Sequence, residues 1–374
     1  MRLYKIEVFK LFYRKFFITC LLSVLGILLL YFYFVNVGDE RTTVNGNLYT
    51  GYKAVQVDRE ITKEFSGVLT DDIAEQIVGK YGFPSKVEEY YGYFRDQNYL
   101  NGFITKYLGN GYFRDWNDYQ VSTSLYTISQ TDLGRVVEVS GNEITLDYTK
   151  GWTVFFDTLQ LGMILGSVLI LVGVSPVFSE EYQNKMAALL FTSEEGKSKD
   201  IIAKIAASFT MTTIIYIVIV SCVFVCIGSV YGFTGKDCII GTVLGNALNP
   251  ANPATMKTVS FFAVLTLILD YLALLSLCAI TVCVSAHFKS LFHAVSMSCM
   301  IWLAPLLIRI MGGGAGLILM AGTPLFMIMS GVLLDSFNFL IIPIIIAMCI
   351  LILCTINGWH IYRIEDKGEE NQIG

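Results

Sequence analysis

Charge is scarce in this chain of 374 residues: Asp, Glu, Lys and Arg make up 15%, against 54% hydrophobic residues. With a mean hydropathy of +0.59, that excludes an ordinary soluble globular protein and points to the membrane class. A basic excess is missing too. The net charge is −5, so no positive field invites nucleic acid. The acidic excess is local, with 17 Asp/Glu against 11 Lys/Arg between Asp39 and Trp152. Cysteine is absent from that polar stretch, which excludes a disulfide framework there. Eight of the nine cysteines (Cys20, Cys222, Cys226, Cys278, Cys283, Cys299, Cys349 and Cys354) fall in apolar runs and read as small apolar fillers; Cys238 alone is in a loop. No C-x-x-C metal spacing, H-E-x-x-H or G-x-S-x-G occurs, and the three histidines (His287, His293, His360) read as interface residues near span ends. No G-x-x-x-x-G-K-[ST] occurs either, and Gly312-Gly313-Gly314 lacks the lysine that must follow. Without a phosphate cradle the chain is not expected to hydrolyse ATP or to hold a cofactor or metal of its own.

Long apolar runs are plentiful. Phe16–Val37, Val154–Phe178, Ile205–Tyr231, Val259–Ala286, Leu291–Met311 and about Phe339–Ile361 are each long enough to cross a bilayer of about 30 Å as a helix. Lipid offers backbone groups no partner, so each must be helical. The first run follows five basic residues (Arg2, Lys5, Lys10, Arg14, Lys15), exceeds a signal h-region and precedes no A-x-A-like site; it reads as an uncleaved span. The segment 312–338 is apolar but interrupted at Gly322-Thr323-Pro324. A re-entrant hairpin is expected there, with a full span as the other reading. The basic N-terminus, Lys185, Lys197, Lys199 and Lys204 after span 2, and Lys289 after span 4 place these parts and the C-terminal tail in the cytoplasm.

The expected fold is therefore a polytopic α-helical membrane protein of six spans, with a small α+β extracytoplasmic domain over 38–152. The domain is expected to open with a hairpin, in which Asn45-Gly46 gives a type I′ turn and the alternating YKAVQV follows. Thr70-Asp71-Asp72 signals a helix start, and Ser85-Lys86-Val87-Glu88 a second. RVVEV, SGN and EITLDY read as a closing hairpin. The aromatic run from Tyr81 to Tyr126 reads as a domain core or as a stacking platform, and Tyr99, Phe103 and Tyr107 have the spacing of one buried helix face.

Between spans 2 and 3 the cytoplasmic loop 179–204 carries charge of both signs around a short apolar stripe. A helix from about Ser179 would place Tyr182, Met186, Leu189 and Leu190 on one side and Glu181, Asn184 and Lys185 on the other. Glu180 and Glu181 in its first turn favour the helix dipole. Such a helix either floats on headgroups or seats in a cytoplasmic partner. It has no Trp, and its acids would be repelled by anionic lipid, which favours a protein partner.

The arrangement resembles the permease subunit of ABC-2-type transporters, the type V exporter fold. The resemblance is carried by the basic amphipathic start MRLYKIEVFKLFYRKFF, the external domain between spans 1 and 2, and the span 2 exit Phe178-Ser179-Glu180-Glu181-Tyr182. The turn Thr192-Ser193-Glu194-Glu195-Gly196, the closing Ala203-Lys204 and the broken segment before the last span complete it. Where the family commonly has Gly-Thr after the glutamate, this chain has Asn184-Lys185-Met186. The resemblance implies a coupling helix, about Glu180 to Phe191, in which Glu180, Glu181, Tyr182, Lys185, Met186, Leu189 and Leu190 dock cytoplasmic ABC ATPase subunits holding ATP and Mg. It also implies pairing with itself or a sister permease, a bacterial cell membrane, and export of a hydrophobic or amphipathic peptide, lipid or drug. The other reading of the same layout is a sensor whose external domain binds a ligand and whose loop docks an effector. A membrane enzyme finds no convergent catalytic set.

Three further groups carry intramembrane charge. Asp270, in LTLILDYLALL, must face the bundle, either as a lock accepting a hydrogen bond from another helix or as part of a pathway. Asp157 and Arg309 lie near outer span ends, where they either pair or sit at headgroup depth.

Overall fold

The computed structural model describes residues 2–83, 96–109, 125–141, 143–184, 186, 196–244, 252–312 and 317–373. Helix dominates. Among the described residues, six helices are long and apolar enough to cross a membrane: Lys15–Val37, Lys150–Gln183, Ser198–Val230, Val259–His287, Leu291–Ile310 and Ile341–Arg363. These are the six runs expected from the sequence, with ends shifted by a few residues, and they give the chain the character of a multi-pass helical membrane protein.

By chain order, α1 is Arg2–Phe12, α2 is Lys15–Leu30 with a wider turn over Tyr31–Val37, β1 is Arg41–Val44 and β2 is Asn47–Thr50. Then come α3 (Tyr52–Phe65), β3 (Gly67–Val68), α4 (Asp71–Tyr81), α5 (Tyr99–Leu108), α6 (Asp132–Ser140) and β4 (Thr145–Leu146). The long helices follow: α7 (Lys150–Val174), α8 (Pro176–Gln183), α9 (Ile201–Val230), α10 (Val259–His287) and α11 (Leu291–Gly312). Three short helices, α12 (Leu317–Met320), α13 (Pro324–Met327) and α14 (Ser330–Ser336), precede α15 (Ile341–Ile373). None of the three is long enough to span, and the chain breaks at Gly322-Thr323, where Pro324 takes the first position of α13.

The chain forms two compact units. One comprises Leu29–Thr158 and Phe224–Val264. Its core joins Phe65, Ile77, Leu100, Ile104, Leu133 and Leu146, among others. The Asn45-Gly46 turn is present, with φ of 53° and 74° between antiparallel β1 and β2. Asp96 caps it by accepting from the Asn45 and Gly46 N–H groups at 2.8 and 2.9 Å. Thr70 caps α4 by accepting from the Ile73 N–H.

Two sequence expectations are corrected here. YKAVQV is the start of helix α3, because its alternation is overridden by a longer helical stripe, with Ala54, Val55, Asp58, Thr62 and Phe65 buried. RVVEV lies in helix α6, closed by Gly141 in the left-handed region, and buries Leu133 and Val136. There is thus no closing hairpin: β4 pairs with β3 instead. The second helix start at 85–88 lies outside the described residues, as do most of the aromatics between 84 and 124. Of that run, Tyr99, Phe103 and Tyr107 pack along α5 as tilted rings, with centroids 6.5 and 4.8 Å apart.

The other unit comprises Met1–Leu28, Leu159–Val223 and Leu265–Gly374. Here α7 and α9 approach closely through glycine. A Cβ on Gly162 or Gly166 would lie 2.7 Å from the Ile219 side chain, so only glycine allows this helix spacing.

Candidate functional site

The path to the site begins at a break. Pro176 has no N–H and ends the regular ladder of α7, so the first turn of α8 needs outside partners. Ser285 on α10 supplies them. Its Oγ accepts from the Phe178 and Ser179 N–H groups at 3.0 and 3.2 Å and donates to the Ser175 carbonyl at 2.6 Å. The Ser179 hydroxyl donates to the same carbonyl at 2.7 Å. The bend is therefore fully stitched, and it aims α8 at a cluster of charges.

In that cluster Glu181 is the centre. The Lys204 ammonium at the start of α9 donates to Glu181 at 2.7 Å and also pairs with Asp200, one helical turn earlier. The Tyr362 hydroxyl on α15 donates to the same Glu181 oxygen at 2.8 Å. Lys204 is 1% exposed, so these charges are held out of solvent and depend on one another. Aromatic rings close the cluster: Phe178 lies 4.3 Å and Tyr182 5.5 Å from the Tyr362 ring, and the Lys204 and Lys289 ammoniums each sit 5.8 Å from a tyrosine ring.

The preceding residue, Glu180, pairs with Arg14, which lies in the link between α1 and α2. Lys10 on α1 donates to Glu7 at 2.6 Å. Partial burial opposes the Lys10 charge, but the bond to Glu7 and the fields of Glu7, Glu181 and Asp200 outweigh it and raise its pKa above the ordinary lysine value. A pocket of about 320 Å³ is lined by Glu7, Lys10, Arg14, Glu180, Glu181 and Lys204, among others. A second, more apolar groove of about 430 Å³ shares Arg14 and Glu180.

The structure thus sorts the residues expected to dock a partner. Glu181 points inward as the hub of the buried pairs. Glu180 holds Arg14 at the pocket rim. Tyr182 packs on Tyr362. Met186 is 51% exposed and follows the end of α8, its N–H donating to the Glu181 carbonyl at 2.9 Å. Helix α8 stops at Gln183, so Tyr182 and Met186 do not share one continuous helix face as expected. Lys185, Leu189 and Leu190 lie outside the described residues.

Sequence reading counted Arg14 only as an orientation charge, and left Asp200 and Tyr362 without a role. The one signal for the buried pair was the spacing of Asp200 and Lys204, i and i+4. Tyr362 has no such signal, since it is 181 residues from Glu181.

Asp270 is 1% exposed, and neither of its oxygens has a hydrogen bond among the described residues. The neighbouring tyrosines commit their hydroxyls elsewhere, Tyr216 to the Leu267 carbonyl at 2.8 Å and Tyr271 to Thr213 at 2.9 Å. The expected lock finds no donor. Asp157 is exposed, Arg309 is half-buried, and they belong to different compact units. Among the described residues no group of three His, Cys, Asp or Glu is placed to hold a metal ion.

A second polar cluster lies in the unit that contains the small sheets. Asp58, 3% exposed, accepts from the Thr42 hydroxyl at 2.7 Å and the Tyr99 N–H at 3.1 Å. Burial raises its pKa to about 6; the two hydrogen bonds and the field of Lys150 pull the other way. Glu40 pairs with Lys150 and accepts from the Tyr231 hydroxyl at 2.9 Å.

Comparison with protein-family models, with curated proteins and with solved structures finds no match to this chain.

Proposed function

We propose that this chain is the membrane-spanning subunit of an ATP-driven transporter of the ABC-2 type, moving a hydrophobic or amphipathic substrate. The observation that carries the proposal is the Glu181 hub. It joins α8, α9 and α15 directly, and Arg14 brings in the amphipathic N-terminal helix through Glu180. A push on the loop after α8 would therefore reach three spans at once. That is what a subunit driven from outside the membrane requires, and the sequence has no phosphate-binding loop with which to drive itself. In this reading the motor is a separate cytoplasmic ATPase, the loop that follows Gln183 is its docking surface, and the chain pairs with a second permease.

The same reading places the N-terminus in the cytoplasm of a bacterial cell and the segment 38–152 outside. It makes the broken stretch α12–α14 a re-entrant hairpin, since irregular backbone at membrane depth must be covered by protein or line a water-filled path. The groove beside Arg14 combines an apolar wall with a charged rim, which suits an amphipathic ligand.

The test is co-purification from the native membrane in mild detergent. An ATPase with a phosphate-binding loop should accompany the wild-type chain. Glu180→Lys, which places like charge against Arg14, should release most of it while leaving Tm close to wild type. Glu181 is unsuitable for this purpose, because reversing its charge would also break the buried pairs. Absence of any ATPase from the wild-type preparation refutes the proposal.

A further inference from the structure

Two thiols meet where α10 and α15 come closest. Gly358 on α15 lies directly on the backbone of Cys283: a Cβ added there would sit 3.1 Å from the Cys283 Cα. One turn before Gly358 on the same helix is Cys354. Asn357, which donates to the Cys283 sulfur, and Gly358 lie three and four residues after Cys354, so Cys354 shares the face of α15 that meets Cys283. Both thiols are free and partly exposed.

Polar groups of both helices lie beside Cys283. The Asn357 amide donates to the Cys283 sulfur at 3.6 Å. His287 Nδ1 lies 2.8 Å from the Cys283 carbonyl and 4.0 Å from its sulfur. The carbonyl can only accept, so Nδ1 carries the proton and donates it there.

We propose that Cys283 and Cys354 form a redox-sensing dithiol, which a hydroperoxide oxidises to a disulfide stapling α10 to α15. In the first step the thiolate of the pair attacks the O–O bond of hydrogen peroxide. A sulfenic acid forms, and the hydroxide that leaves takes up, as water, the proton released when that thiolate formed. In the second step the neighbouring thiol attacks the sulfenic sulfur, forming the S–S bond and releasing a second water. Two thiols and one peroxide thus give one disulfide and two waters.

The consequence reaches the charge cluster. Ser285, which stitches the bend into α8, is two residues from Cys283, and Tyr362, which holds Glu181, is eight residues from Cys354. A staple between these helices fixes the two supports of the cluster relative to each other.

The experiment is peptide mapping of the full-length protein in native membrane vesicles, treated with hydrogen peroxide and alkylated without reduction. The expected result is one linked pair, the peptide containing Cys283 joined to that containing Cys354, lighter by two hydrogens than the sum and separated by dithiothreitol. Maleimide should then label two fewer thiols, and both should return on reduction. Cys283→Ser and Cys354→Ser should each abolish the link and leave a dimedone-reactive sulfenic acid on the remaining partner. Failure of the wild-type protein to form this link, or a link from either residue to another cysteine instead, overturns the proposal. The wild-type map decides the matter even if a serine variant folds poorly.

Discussion

Lys204 is buried, with its ammonium between two carboxylates and near a tyrosine ring. Burying Lys204 and Asp200 and half-burying Glu181 is costly, and their mutual attraction offsets that cost only while all are present. Replacing Lys204 by methionine keeps most of the side chain's length and removes the charge, leaving Glu181 and Asp200 without their shared cation. We expect Lys204→Met to cost about 3–5 kcal/mol, seen as a large fall in Tm in detergent by intrinsic fluorescence. Adding Glu181→Gln and Asp200→Asn should restore much of it. An unchanged Tm in the single variant would mean that the pairs contribute nothing. The residue scale also shows where reading a sequence stops. Glu180 and Glu181 are visible as an acidic pair after an apolar run, yet nothing in the sequence says that one faces Arg14 at a rim and the other a buried lysine. That division depends on which side chains arrive from α9 and α15.

Among the elements, α3 deserves separate argument, because its misread start and its buried acid are connected. Read as a strand, YKAVQV leaves Asp58 unplaced. As helix α3, it aims Asp58 at the hairpin through Thr42 and at the start of α5 through the Tyr99 N–H. Burial makes ionisation of Asp58 unfavourable in the fold, with its pKa raised to about 6 against about 3.9 in an unfolded chain. Between those values the native state holds a proton that the unfolded state has lost. Stability from this group is therefore full below about pH 4, falls as pH rises to about 6 and stays low above it. Asp58→Asn keeps an oxygen acceptor and cannot ionise. Its Tm relative to wild type should rise from pH 4 to pH 7, by an amount equivalent to at most about 3 kcal/mol. A Tm difference that does not vary with pH would contradict this account. The elements that were legible share one property: their signal is local. Thr70 before α4 and Asn45-Gly46 in the hairpin each work through their own neighbours. The residues 135–139 failed as a strand because the cap at Gly141 and the burial of Leu133 and Val136 set a helical period across a window longer than the alternation.

At the scale of the molecule, six spans were readable because length and apolarity are properties of a run and need no knowledge of its partners. The cluster was not readable, because it assembles Arg14, Glu181, Lys204 and Tyr362 from distant parts of the chain. What the cluster adds to the proposed function is a mechanical argument: helices tied through one carboxylate would move together if the loop after α8 were pushed. The most direct measurement of that claim is site-specific photo-crosslinking in living cells, with benzoylphenylalanine in place of Met186, the exposed residue just past α8, and separately in place of Leu48, the exposed tip-side residue of β2. The account predicts an adduct from position 186 to a cytoplasmic chain with a phosphate-binding loop, and none to that chain from position 48. An adduct to the ATPase from position 48, or none from position 186, would contradict it.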